Sequence, residues 1–350
     1  IAAGASRTRV LRRHPLIRRG KPQLRRAVAF SAGAVAAFLV GCDGPQSALD
    51  PAGRAAEQIA DLFWWMAGGA TVVWAVVIGL AAYSIHGRPG PHDRQTALMI
   101  IGGGVVFPTV VLAVLLSYGL ALLPDLVAPA PPGSLTVTVI GEQWWWRVRY
   151  ETAGGGAVEL ANEVRLPVGE PVQFRLESAD VIHSFWIPPL GGKMDMFPGR
   201  TTHLSLLPTR TGTFRGVCAE YCGDSHALMA FPVVVAEGED FADWLARQAE
   251  PAREPVGAAA IRGREVFFSL GCAACHAIRG TPAAGVVGPD LTHVGGRLSL
   301  GAGILPNDPD AFARWIGHTD DVKPGVLMPE FGMVPAEDLR ALAAYLDELD

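Results

Sequence analysis

Two uncharged apolar runs stand out from an otherwise mixed chain, Leu62 to Ile85 and Thr96 to Leu123, of 24 and 28 residues. Each exceeds the roughly 20 residues that a helix needs to cross a bilayer core. Buried helices of a large soluble domain are the alternative, but such length without a charge predicts a transmembrane hairpin over residues 62–123. Trp64, Trp65 and Tyr83 sit near the ends of the first run, where amphipathic rings prefer the interface. The loop between the runs carries Arg88 and Arg94, whereas the outer flanks carry Asp43, Asp50, Glu57, Asp61 and Asp125. That bias puts the loop in the cytoplasm and everything after Pro124 outside.

Beyond the linker "PDLVAPAPPG", which reads as extended and semi-rigid, the pattern changes. From residue 134 to 236 short alternating runs such as "SLTVTVIG", "WWWRVRY", "PVQFRLES" and "FPVVVAEG" are separated by Gly and Pro. Alternation of this length with regular turn signals predicts an all-β sandwich or barrel. Residues 237–256, "EGEDFADWLARQAEPAREPV", form a helical and then Ala/Pro-rich connection. Helical periodicity returns in residues 257–350, at "AAIRGREVFFSLGC" and "EDLRALAAYLDEL".

The 350 residues are 50% apolar and 18% charged, with a net charge of −5. Residues 1–41 contain nine of the Lys and Arg and no acid, so the remainder carries 20 basic against 34 acidic groups, a balance of −14. A basic leader followed by the apolar run "AVAFSAGAVAAFLVGC" predicts an export signal over 1–41. Its end, Leu39-Val40-Gly41-Cys42, resembles a bacterial lipobox, so Cys42 is the expected lipidation site and residues 42–61 an exported N-terminal segment. The acidic body suits a basic protein partner better than nucleic acid.

The five cysteines, Cys42, Cys218, Cys222, Cys272 and Cys275, form one singlet and two close pairs. That is poor spacing for a disulfide framework and good spacing for cofactors. In "VCAEYCGDSHALM", Cys218, Cys222, His226 and Met229 offer two thiolates, an imidazole and a thioether. "DVIHSFWIP" adds His183, 35 residues before Cys218. Two thiolates could hold zinc, but a thioether beside Cys and His favours copper. One copper needs one thiolate; two thiolates can bridge two coppers, each completed by a histidine and a weak ligand.

Through "GEQWWWRVRY", "DVIHSFWIPPLGGKMDMFPGR" and "GVCAEYCGDSHALM", together with the hairpin, the chain resembles subunit II of haem-copper cytochrome c oxidases. The resemblance implies a cupredoxin-like sandwich with a binuclear CuA centre: Cys218 and Cys222 bridging, His183 and His226 capping, Met229 and the Glu220 carbonyl as weak ligands. It also implies that the Glu220 carboxylate offers a Mg²⁺ contact toward subunit I, and that an exposed tryptophan, matched by Trp144, is where electrons come in. The glutamate that family members often carry near the start of the second transmembrane helix falls near Ile101 here. No acid occurs between Arg94 and Pro124, which leaves proton uptake through this subunit to some other group such as Asp93 or His92.

Cys272-x-x-Cys275-His276 is the attachment motif of haem c, with two thioethers to the porphyrin and His276 on the iron. C-x-x-C alone could be a redox dithiol; the following histidine and the exported location favour haem. Residues 257–350 resemble an all-α class I cytochrome c, which implies that Pro289 in "VGPDLTHVGGR" supports His276 and that Met328 in "KPGVLMPEFG" is the distal ligand, with Met333 as competitor. His293 and His318 are expected to be ordinary polar positions.

The resulting expectation is an electron-input subunit of a terminal oxidase in a bacterial inner membrane, with both redox domains on the periplasmic side. It would receive electrons from a cytochrome c donor and pass them through haem c and CuA to haem a of subunit I, with subunit III alongside. A stand-alone tethered carrier or redox sensor is the alternative; nitrous oxide reductase shares the copper motif but lacks this hairpin.

Overall fold

Helix α1 (Arg54–His86) takes in the whole first apolar run, and α2 (Asp93–Leu98), a π-helical stretch (Met99–Val106) and α3 (Phe107–Val127) take in the second. A computed structural model describes residues 43–86, 93–152 and 155–350. The export signal, Cys42, Arg88 and His92 lie outside the described residues, as does the Asp93 side chain. Pro108 explains the π-helical stretch, because it lacks the N–H that would continue the α-helical ladder and its ring crowds the preceding turn. Ile101 lies in that stretch. The two long helices are long and apolar enough to cross a membrane. Two of their threonines satisfy their hydroxyls on the helix itself: Thr71 and Thr109 donate to the carbonyls of Ala67 and Val105 four residues earlier, which spares lipid an unpaired polar group.

The first turns of α1 are held by the soluble part. Ala56 and Ala60 are buried, Arg54 N donates to Leu207 O and Ala52 N to Pro189 O. A Cβ on Gly53 would stand 2.5 Å from Leu190 O, so only glycine allows that approach.

The ten strands that follow are β1 (Leu135–Glu142), β2 (Trp145–Glu151), β3 (Ala157–Ala161), β4 (Val164–Pro167), β5 (Val172–Ser178), β6 (His183–Trp186), β7 (Met194–Met196), β8 (Thr202–Leu206), β9 (Gly212–Cys218) and β10 (Ala230–Ala236). They form two five-stranded sheets, ordered β3-β2-β1-β5-β8 and β4-β10-β9-β6-β7. The alternation in "SLTVTVIG" buries Val137 and Val139 and leaves the intervening residues half-buried, the period-2 signature of a sandwich face. Trp146, Phe185 and Phe231 meet between the sheets, with Phe185 and Phe231 stacked at 5.0 Å.

Helix α4 (Gly238–Ala249) packs Phe241 and Trp244 back onto Tyr150 of the sandwich. An extended stretch then leads to an all-helical domain: α5 (Ala258–Ser269), α6 (Pro309–Gly317), the short α7 (Thr319–Val322) and α8 (Ala336–Asp347). Helices α5 and α8 cross closely, for a Cβ on Gly263 would fall 1.9 Å from Ala341 O. The chain is thus multidomain, with two apolar helices, a two-sheet sandwich and an all-helical domain.

The last two pack together. Ala230 N donates to Ala302 O at 3.0 Å, Arg215 to Gly303 O at 3.1 Å and Arg147 to Val286 O at 2.9 Å. Ser225 Oγ donates to Pro324 O at 2.7 Å, and Leu298 N to Glu163 Oε2 at 2.8 Å.

Candidate metal centre and haem pocket

Strand pairing brings the sulfur and imidazole donors together. Phe185 of β6 pairs with Cys218 of β9, which sets His183, two residues before Phe185, beside the end of β9. The loop from Cys218 to Met229 closes on itself, since Cys218 N donates to Met229 O and Ala219 N to Ser184 O, both at 2.9 Å. Gly223 turns that loop with φ +117°, and a Cβ there would meet Trp144 Cζ2 at 2.9 Å.

Within this loop the Cys218 and Cys222 sulfurs lie 3.8 Å apart. His183 Nδ1 is 3.9 Å from Cys218 Sγ, and His226 Nδ1 is 3.5 Å from Cys222 Sγ. Met229 Sδ stands 3.8 Å from Cys222 Sγ, and Glu220 O 3.2 Å from Cys218 Sγ. His183, Cys218, Cys222 and Met229 are buried, and the ligand atoms of the first three lie within 4.8 Å of one another. The six groups named from the sequence therefore face one another. The Glu220 carboxylate points away, 3.8 Å from Lys193 Nζ on the half-exposed rim.

Electrostatics calls for a cation here. The Cys222 thiol beside it holds Cys218 down to about 3, against burial and with help from His183. Cys218 in turn pushes Cys222 up, because two thiolates this close cannot both be charged in a buried site. Burial opposes a charge on His183, but Asp180 at 2.8 Å and the Cys218 sulfur hold its imidazolium up to about 9. A metal ion replaces the shared protons and lets both sulfurs ionise. Two thiolates, two imidazoles and a thioether fit copper. Asp180, three residues before His183 in "DVIHSF", was not singled out in the sequence; it accepts from His183 Nε2, so that Nδ1 faces the sulfurs. That is how outer carboxylates orient metal-binding histidines.

The three adjacent tryptophans separate by orientation. Trp146 lies in the sandwich core and Trp145 lies beneath the Arg147 guanidinium at 4.8 Å. Trp144 Nε1 donates to Cys222 O at 3.0 Å, and Gln143 Nε2 donates to the same oxygen at 2.7 Å. The expectation of an exposed Trp144 is not met: it is only 6% exposed, because residues 323–326 of the helical domain lie over it.

The haem-type motif opens onto a cavity of about 420 Å³. Cys272, Cys275, His276 and Met328 all line it, and so do Trp144 and Trp145 from the sandwich. His276 Nδ1 lies 2.8 Å from Pro289 O, which orients the opposite nitrogen. A Cβ on Gly288 would stand 2.5 Å from His276 Cε1, so the glycine of "VGPDL" keeps room for the ring. Burial pushes the His276 imidazolium down and keeps the ring neutral, the form that binds iron. Ser299, also in the wall, has a buried Oγ without a partner among the described residues, as expected of a cavity shaped for a polar-edged group. Met333 is 82% exposed and off the cavity. His293 is buried with Nε2 3.1 Å from Glu250 O, and His318 is exposed.

Comparison with known proteins decides the family. Cytochrome c oxidase subunit 2 of Alkalihalophilus pseudofirmus is 38% identical over 328 residues, covering 89% of this chain and 94% of that protein. The chain belongs to the cytochrome c oxidase subunit II family. The subunit of Bacillus sp. (strain PS3) is 32% identical over 62% of each chain. The family description "Cytochrome C oxidase subunit II, periplasmic domain" matches residues 151–237, and "Cytochrome c" matches 260–350. A crystal structure of the periplasmic domain of subunit II from Bradyrhizobium japonicum is similar at 32% identity, covering 35% of this chain and 96% of that one, with a TM-score of 0.32. Membership implies CuA copper, haem, a haem-copper oxidase complex and a membrane anchor with periplasmic domains.

Proposed function

We propose that this chain is the electron-input subunit of a terminal cytochrome c oxidase, anchored in a bacterial inner membrane with subunit I, and with subunit III, as its partners. The observation that carries this reading is a single packed unit in which Trp144 borders the haem cavity and also hydrogen-bonds the carbonyl of Cys222.

Haem c and binuclear copper, when bound, supply one-electron centres that link a cytochrome c donor to haem a of subunit I, where oxygen is reduced to water. Cys272 and Cys275 would attach the porphyrin, and His276 and Met328, both in the wall of the same cavity, would hold its iron. Cys218 and Cys222 would be shared by the two coppers, His183 and His226 would bind one each, and Met229 and the Glu220 carbonyl would supply the weak ligands. The burial of His183, Cys218, Cys222 and Met229 excludes water and holds those donor atoms fixed, which keeps reorganisation small. The Glu220 carboxylate, half-exposed on the rim beside Lys193, would offer a contact to a Mg²⁺ at the subunit I face. Cys42, with a lipid attached, adds a second membrane anchor beside the hairpin, and Trp144 is where electrons enter the copper domain. A soluble donor meets the helical domain rather than Trp144, which that domain covers. The acidic body steers a basic donor toward it, less so at high salt.

Purification of the full chain from its native membrane in mild detergent tests the reading. Haem a and a subunit I polypeptide should co-purify with it. Recovery of a monomer free of haem a would favour a stand-alone tethered carrier.

A further inference from the structure

Lys323 is 1% exposed, and no described ion pair includes it. Its Nζ donates to two main-chain carbonyls, Trp144 O at 2.6 Å and Gly301 O at 2.8 Å. The first lies in the sandwich and the second in the helical domain, so one buried amine joins both. Burying a lysine is costly, and neither partner is a carboxylate that would offset its charge. Two residues on, Gly325 adopts φ +78°, and a Cβ there would stand 2.9 Å from Trp144 Cη2. Five residues on, Met328 lines the haem cavity. One short segment therefore grips the Trp144 main chain, approaches the edge of its indole at Gly325 and presents the methionine to the haem cavity.

We infer that Lys323 is a positioning residue: it locks the methionine-bearing segment onto Trp144 and thereby fixes the haem cavity against the copper domain. The hydrogen bond from Trp144 Nε1 to Cys222 O extends this fixed arrangement to the copper loop. Ser225, next to His226, donates to Pro324 O, so the residue after Lys323 touches the same loop. Without Lys323 one buried and one part-buried carbonyl lose their donor, and the docked arrangement should weaken roughly tenfold or more.

The functional consequence rests on the proposed electron-input role, but the lock itself does not, and the test separates them. In the full chain in detergent, Lys323→Met keeps the apolar stem and removes the donors. Amide hydrogen exchange in residues 143–146 and 299–303 should accelerate about tenfold, while helices α5 and α8 exchange as before. Transfer from haem to copper after flash reduction should slow, and Lys323→Arg, which retains donors, should recover much of both. Should the methionine variant fail to fold, Lys323→Gln, shorter and neutral, should show a smaller acceleration of the same segments. Unchanged exchange in a folded Lys323→Met or Lys323→Gln protein would overturn the lock. Accelerated exchange, with no transfer between the centres even in the parent protein, would uphold the lock and refute the electron-input role instead.

Discussion

Gly141→Ala is the smallest change that should disturb the copper site. Gly141 lies in β1, paired with β2 on one side and β5 on the other, so its backbone has little freedom to move. A Cβ there would stand 2.8 Å from His183 Cδ2, 2.9 Å from Cγ and 3.2 Å from its Cβ. The His183 ring cannot retreat easily: it is fully buried, tied to Asp180 at 2.8 Å and packed near Trp146 with ring centroids 6.2 Å apart. Overpacking of this kind costs about 1–3 kcal/mol. For a domain near 100 residues, about 2 kcal/mol corresponds to roughly 8–16 °C in Tm. The assay is the thermal transition of the sandwich in the copper-free full chain, with the electron paramagnetic resonance spectrum after copper loading. The parent protein should show one electron shared equally by two coppers. The variant should melt lower and give a distorted or single-copper spectrum. Gly192→Ala, where a Cβ meets nothing within 4 Å, should match the parent in both. A Gly141→Ala protein that melts within about 2 °C of the parent and gives an unchanged spectrum would refute the reasoning.

Two further predictions concern the ligands. Met328→Leu should abolish the weak methionine-to-iron absorption band of the haem, whereas Met333→Leu, at a side chain exposed to solvent, should leave it intact; the reverse would exchange their roles. In the copper-free fold the His183 imidazolium persists up to about 9 instead of the usual 6.5, so copper must displace a proton from Nδ1 at lower pH. Apparent copper affinity should therefore rise steeply with pH from 6.5 up to about 9, and less steeply above it because the Cys222 thiol that Cys218 pushes up must still lose its proton, with proton release seen by calorimetry in buffers of different ionisation enthalpy. A flat affinity across that window would contradict the assignment of His183.

Local patterns made most of the architecture legible. Uncharged runs of 24 and 28 residues have no comfortable place in water, and the strand alternation of "SLTVTVIG" maps directly onto a buried face. The copper donors were legible because five of the six groups fall within one loop, where spacing alone places them close. Trp144 was legible as a residue but not in its setting, since its burial depends on Lys323 and Gly325, which follow it by 179 and 181 positions. A lone lysine in "KPGVLMPEFG" reads as a solvated charge; only docking of two domains turns it inward. The same holds for Gly141, which in a strand pattern looks like a weak point and in the fold makes room for His183. Asp180 carried a fainter local signal, a carboxylate three residues before a metal-type histidine.

Electron input through this chain requires that an electron placed on its haem reach its copper centre. Flash reduction of the haem in the fully metallated chain, followed optically at both centres, measures this. Copper reduction should follow haem oxidation with a first-order rate that is independent of protein concentration, because Trp144 and the packed domains hold the two sites together. A haem that stays reduced, or a transfer rate that rises with protein concentration, would contradict it.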